Sequence, residues 1–144
     1  MNWIPRKYDI NVYNSCDEIV AEQNFLGLDV VAATTLIASD PMRYFEDLMW
    51  MGPKAFSYYW KAARAYLDGR GQSEWEDLSW FLIAVTFQVQ NSATAELLPI
   101  PEILKFIDGI NRDILDAREV MQLDEALQTL RAAYVGHLIN PRSK

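Results

Sequence analysis

A chain of 144 residues that is 51% apolar and 12% aromatic has the size and the material of one ordinary domain with a filled core, which excludes a wholly disordered chain. Thirteen basic against twenty acidic residues leave a net charge of −7, which argues against a general phosphate-binding role, because nucleic acid is held largely by Lys and Arg. The single cysteine, Cys16, allows no internal disulfide and suits a reducing compartment, as a small half-buried side chain near a helix start.

Along the chain, Met1 to Lys7 carries two bases, but the stretch after it is polar and acidic where an export signal needs an apolar run. The longest apolar run, Trp80 to Phe87, is much shorter than the roughly 20 residues that cross a bilayer. A cytoplasmic protein with no membrane contact is expected. Tyr8, Ile10 and Val12 alternate as in a short strand between Pro5 and Asn14, which predicts an extended arm. Ser15 is placed to cap a helix running to about Asn24, with Asp17 and Glu18 in the first turn where the helix dipole favours anions, and Gly27 ends it.

Leu28 to Ala38 reads as a helix by length, although Val30, Val31, Thr34, Thr35 and Ile37 are β-branched. Asp40 is then placed to cap and Pro41 to open a short helix to about Met51, closed by Gly52. Pro53 repeats the device before the clearest helix in the chain. Its inner stripe is Phe56, Tyr59, Trp60, Ala63 and Leu67, its outer face Lys54, Ser57, Lys61, Arg64 and Asp68, and Gly69 with Gly71 stops it. Ser73 and Glu76 form a capping box that starts the next helix at Glu74, apolar nearly all round from Leu78 to Phe87 and therefore central. After a loop from Asn91 to Ile100, Pro101 opens a helix with Ile103, Ile107, Ile110 and Ile114 on one stripe and Glu102, Lys105, Arg112, Asp113 and Asp116 outside. The last helix turns Leu123, Leu127, Leu130, Tyr134 and Leu138 inward and ends at Asn140-Pro141. The expectation is an all-α, single-domain bundle of five to seven helices over residues 1–144 with a short extended N-terminal arm.

Charge is segmented along this bundle. Residues 15–50 hold seven acids against Arg43 alone, residues 73–102 hold five acids and no base, and residues 51–72 between them carry +3. The two acidic blocks share an echo, 30 residues apart: Phe45-Glu46-Asp47-Leu48-Met49-Trp50 and Trp75-Glu76-Asp77-Leu78-Ser79-Trp80. One reading makes both the first turns of amphipathic helices, with acids favoured by the dipole and aromatics entering the core. The other makes them acid and aromatic clusters on one surface, suited to an arginine-rich partner.

Chemistry finds little footing. The one histidine, His137, has Tyr134 three residues before it in place of an acid, so the Glu-x-x-His pairs of a di-iron bundle are absent, and it shares the inner stripe of its helix. Cys16 and His137 fall in different elements, and Gly69-Arg70-Gly71 is a helix stop and not a phosphate loop. No cofactor or metal is expected, and no catalytic residue is assigned.

The stretch from Asp40-Pro41 through Tyr44-Phe45-Glu46-Asp47 to Pro53-Lys54-Ala55-Phe56-Ser57-Tyr58-Tyr59-Trp60 and Ala63 resembles a segment of small bacterial helical proteins of the immunity type, which neutralise a toxin of interbacterial competition. The resemblance spans about residues 40–68 and carries over no functional residue. It implies a cytoplasmic partner-binding protein, monomeric or homodimeric, whose negative surface speeds association with a basic toxin domain. The exposed residues expected to make that contact are Glu46, Asp47, Glu74, Glu76 and Asp77, with Trp50 or Trp75 as an anchor. Two other classes stay open: an adaptor or regulatory subunit using the tyrosines and tryptophans of residues 44–60, and an enzyme with an unfamiliar carboxylate site.

Overall fold

The computed structural model describes residues 3–69, 75–91 and 97–139, the last three of these for the backbone alone. Among the described residues there are eight α-helices and no strand, one helix more than the upper expectation. The extra one lies in the expected arm: α1 (Lys7–Ile10) is a single turn, stabilised by Asp9, whose carboxylate accepts the Arg6 N–H at 2.8 Å. The alternation of Tyr8, Ile10 and Val12 misleads because only Ile10 enters the core; Tyr8 and Val12 face solvent.

α2 (Cys16–Phe25) starts where the Ser15 cap predicts, and the box is reciprocal. Glu18 N–H donates to Ser15 Oγ, and the Glu18 carboxylate accepts from the backbone N–H groups of Ser15, Tyr13 and Val12 at 2.9 to 3.1 Å. Burial alone would push this carboxyl up; the N–H groups of Ser15 and Tyr13, the Ser15 hydroxyl and the N–H of Val12 outweigh it and hold it below the usual value. Asn14 completes the turn at φ 61, a conformation asparagine tolerates better than most residues. Cys16, expected half-buried, is exposed: it opens α2 on the side away from Glu18, which is the buried residue of that turn.

α3 (Val30–Ser39) is capped by Asp29, which accepts the Ala32 N–H at 2.9 Å. α4 (Pro41–Trp50) has Pro41 in its first turn, as expected, but the Asp40 side chain makes no capping bond; only its carbonyl joins the helix, accepting from Tyr44. α5 (Pro53–Gly69) begins and ends at the residues that the sequence marks, and Phe56, Tyr59, Trp60 and Ala63 are buried as its inner stripe. α6 (Trp75–Asn91) buries Leu78, Phe81, Leu82, Ala84 and Val85, but Ile83 is 49% exposed, so the central helix keeps one face open. The Ser73 half of its expected cap, Gly71 and Asn140-Pro141 lie outside the described residues.

α7 (Ile100–Asp108) is shorter than the isoleucine stripe suggests. Gly109 ends it, with its N–H on the Lys105 and Phe106 carbonyls, so Ile110 is only half-buried and Ile114, in the 3-10 turn Arg112–Ile114, is exposed. α8 (Ala117–Ile139) buries Leu123, Leu127 and Leu130. The side chains of His137 and Leu138 lie outside the described set.

The core is one apolar cluster that draws on every helix, with α3 against α5, α4 between α2 and α6, and α8 against α6 and α7. α4 and α6 run in the same direction, since Phe45 meets Phe81 (ring centroids 6.1 Å apart) and Trp50 meets Phe87 (4.9 Å). Their junction is closed by a buried polar group. Gln88 of α6 donates its amide toward the carbonyls of Leu48, Met49 and Met51 at 3.0, 3.2 and 2.7 Å, which satisfies the open end of α4. At the other side of the core, the Tyr59 hydroxyl shares its proton between the Phe25 and Leu28 carbonyls at 2.9 and 2.8 Å, past the end of α2. Burial, with Tyr58 and Asp29 nearby, pushes that hydroxyl far above the usual tyrosine value.

Candidate functional site

The repeated hexapeptide gives nearly the same geometry twice. In each copy the glutamate, Glu46 or Glu76, is exposed, and the leucine, Leu48 or Leu78, is buried. The aspartate turns toward a neighbouring helix. Asp77 of α6 accepts the Tyr66 hydroxyl of α5 at 2.7 Å, and Asp47 of α4 accepts the Asn24 amide of α2 at 2.7 Å. The copies differ in helix position. Glu76 and Asp77 lie in the first turn of α6, where the dipole favours them, whereas Glu46 and Asp47 lie past the first turn of α4.

Asp47 therefore corrects the expectation of an exposed acid. It is 6% exposed, and burial raises its carboxyl from 3.8 to about 6; the Asn24 bond and Arg43 pull the other way, and the charges of Glu46 and Asp17 add to the rise. Asp77 is half-buried, and Glu74 lies outside the described residues. Because α4 and α6 are parallel with residue 45 level with residue 81, Trp75 sits six residues, about 9 Å along the axis, before the level of Phe45. Trp75 and Glu76 thus make one corner, and Glu46 lies apart from it.

The free charges are set by what the chain's own bases do. Arg6 and Lys54 approach Asp9 at 3.9 and 4.0 Å, Arg64 pairs with Asp68 at 3.7 Å, Arg112 with Asp124 at 3.0 Å and Arg131 with Asp108 at 3.2 Å. The bases on the outer face of α5 also stand over aromatic rings, Lys61 over Tyr58 and Arg64 over Trp60 of the same helix and Lys54 over Trp3 of the N-terminal segment. Among the described residues Glu46 and Glu76 make no ion pair.

Both candidate tryptophans border cavities, with Phe87 a wall of each. Trp75, Ile83 and Phe87 of α6 face Asp116, Glu119 and Gln122 at the start of α8 across an open groove of about 790 Å³. Trp50, Tyr8, Tyr13 and Lys54 border a second cavity of about 540 Å³, beside which the Trp50 indole N–H is buried without a hydrogen-bond partner. The α8 wall is missing from the sequence reading, though a signal for it exists: Asp116 and Glu119 form a reciprocal cap at 2.8 and 3.0 Å, with the spacing of the Ser15 and Glu18 box. Tyr8 and Tyr13, 77% and 81% exposed, were hidden by the strand-like reading of the arm.

No family model matches the chain, and neither a curated protein nor a solved structure is significantly similar to it. The site thus rests on its geometry. Among the described residues no three His, Cys, Asp or Glu side chains gather as a metal ion would need, and no helix is long and apolar enough to cross a membrane. What the arrangement offers is a half-buried indole, unpaired carboxylates and an apolar groove, which together are means of binding a protein surface.

Proposed function

We propose that this chain is a non-enzymatic interaction protein of the immunity type, which acts in the cytoplasm by capturing a basic toxin domain through an acidic surface. The observation that carries the reading is the corner of α6, where Trp75 lines the groove opposite Asp116 and Glu119, and Glu76, next to it in the helix, makes no ion pair among the described residues. An amphipathic aromatic in a recess with unpaired charge around it is the usual form of an energetic anchor, and uncompensated carboxylates speed the encounter with a cationic partner. The resemblance over residues 40–68 supports the same class of partner.

The test uses a secreted, polymorphic toxin encoded beside this gene, with its association rate measured by stopped flow against wild type and against the double variant Glu46→Lys, Glu76→Lys. The rate should fall by about tenfold at low salt and lose most of its salt dependence. Equal rates and equal salt slopes for the two proteins would remove the acidic surface from the reading, and absence of any complex would remove the reading itself.

A further inference from the structure

We infer that the groove between α6 and α8 is the seat of an amphipathic helix with basic flanks, supplied by the partner; this rests on the proposed binding role and names the part of the partner that enters. The wall on α6 is Trp75, Ser79, Leu82, Ile83, Thr86, Phe87 and Gln90, a stripe at intervals of three and four residues that covers about 22 Å of helix. The opposite wall on α8 repeats the interval with Arg118, Gln122 and Ala126.

Two such walls present ridges at helical pitch, and a third set of ridges at the same pitch fits the furrow between them; an extended strand, with its two-residue period, does not. The α8 wall from Arg118 to Ala126 covers about 12 Å, so the stretch walled on both sides accepts about two turns, with the rest of the helix lying along α6. The floor of the furrow is apolar, and Ile83, 49% exposed between the buried pairs Phe81-Leu82 and Ala84-Val85, is the residue that pattern alone would send inward. The open face of α6 is therefore a core face without its cover.

Charge decides which helix fits. Asp116 and Glu119 border the groove and Glu76 adjoins Trp75, whereas among the described residues Arg118 is the single base on the walls. The carboxylates of Asp116 and Glu119 are oriented by the cap they form on α8, so their positions are set before anything binds. A helix with lysine or arginine beside its apolar stripe meets opposite charge at Asp116 and Glu119, while one with acidic flanks is repelled there. A second copy of this chain is a poor occupant, because the groove would bring its own acids against themselves.

The probe is a labelled 16-residue peptide with leucines at helical spacing and lysines on both flanks, compared with a glutamate-flanked version and with a lysine-flanked version whose leucine spacing is scrambled. Fluorescence anisotropy should show saturable binding for the first alone, weakening as salt rises. Ile83→Asp, which places a charge on the groove floor, and Ser79→Trp, which fills the groove without adding charge, should each weaken binding by about tenfold or more; circular dichroism and urea melts confirm that both variants fold. No binding of the lysine-flanked peptide, equal binding of the scrambled one, indifference to both substitutions, or a dimer of the free chain that Ile83→Asp dissolves would each overturn the inference. If the neighbouring toxin binds and responds to Glu46→Lys, Glu76→Lys but ignores Ile83→Asp and Ser79→Trp, the groove is wrong and the interaction reading stands.

Discussion

Asp47 is the group through which pH should act on the stability of this fold, and Asp47→Asn isolates it. The substitution keeps the shape, leaves an oxygen to accept the Asn24 amide, and removes the charge. Burial holds this carboxyl at about 6 when folded, against 3.8 in the open chain. Between the two values the folded protein binds a proton that the unfolded chain has released, so stability is greatest on the acid side and falls as pH rises through about 6. The full displacement is worth about 3 kcal/mol, an upper bound because some water reaches the site. For a slope of about 1.5 kcal/mol per molar urea, the midpoint of Asp47→Asn relative to wild type should move by about 1 to 2 M between pH 4 and pH 8, upward toward pH 8. Tryptophan fluorescence in urea at half-unit pH steps measures it. The difference between the two proteins is the quantity to follow, since other carboxyls titrate equally in both. A difference that stays constant with pH, or that grows toward acid, would refute the assignment of a raised pKa to this buried aspartate.

Glu18 should behave with the opposite sign. Its carboxyl is held low, so the stability it supplies is complete above about 4.5 and is lost as pH falls below that. Glu18→Ala should cost about 2 kcal/mol at pH 7 and speed amide exchange at Val12 and Tyr13, whose N–H groups lose their acceptor; unchanged exchange would show that the turn is held by other means. Gly52→Ala should cost about 1 to 3 kcal/mol in urea melts, because a methyl there presses on the Asp9 carbonyl and comes within 2.6 Å of Val12 Cγ2, and an unaltered midpoint would mean the arm yields freely. Tyr59→Phe removes the hydroxyl donor from the Leu28 carbonyl and leaves the Phe25 carbonyl with the Leu28 N–H, and a loss of about 1 to 3 kcal/mol by the same assay is expected; a neutral result would show that water replaces the hydroxyl.

How much of this was legible depends on the range of each interaction. The boundaries of α5 and the start of α2 were readable because Pro53, Gly69, Ser15 and Glu18 act on residues within one turn of themselves. The isoleucine stripe was readable in direction but not in length, since periodicity continues across Gly109 while the helix does not. The single turn of α1 was missed because Tyr8, Ile10 and Val12 alternate as in a strand, although the turn closes at Ile10, its one buried residue, and Val12 lies beyond it. Asp47 could not have been placed by any local rule. Its burial follows from Asn24, 23 residues away on α2, meeting α4 at that level, and pair choice between helices is not written in the spacing of either one. The groove escaped for the same reason: its α8 wall lies on the far side of the chain from its α6 wall.

The Glu-Asp pair itself shows why the acidic blocks are not uniform surfaces. Successive residues on a helix stand about 100° apart, so once the leucine after the pair is turned to the core, one acid is carried toward a neighbouring helix and the other toward water. In both copies the shorter side chain takes the inward place, where an amide or a phenol meets it within 2.7 Å, and the longer one is left free. Reversing Asp47 or Asp77 would therefore report on packing, and a loss of binding there would not locate an interface. Of these four acids, Glu46 and Glu76 carry charge that no described residue neutralises, and substitutions at these two separate capture of a cationic partner from the integrity of the helices that present it.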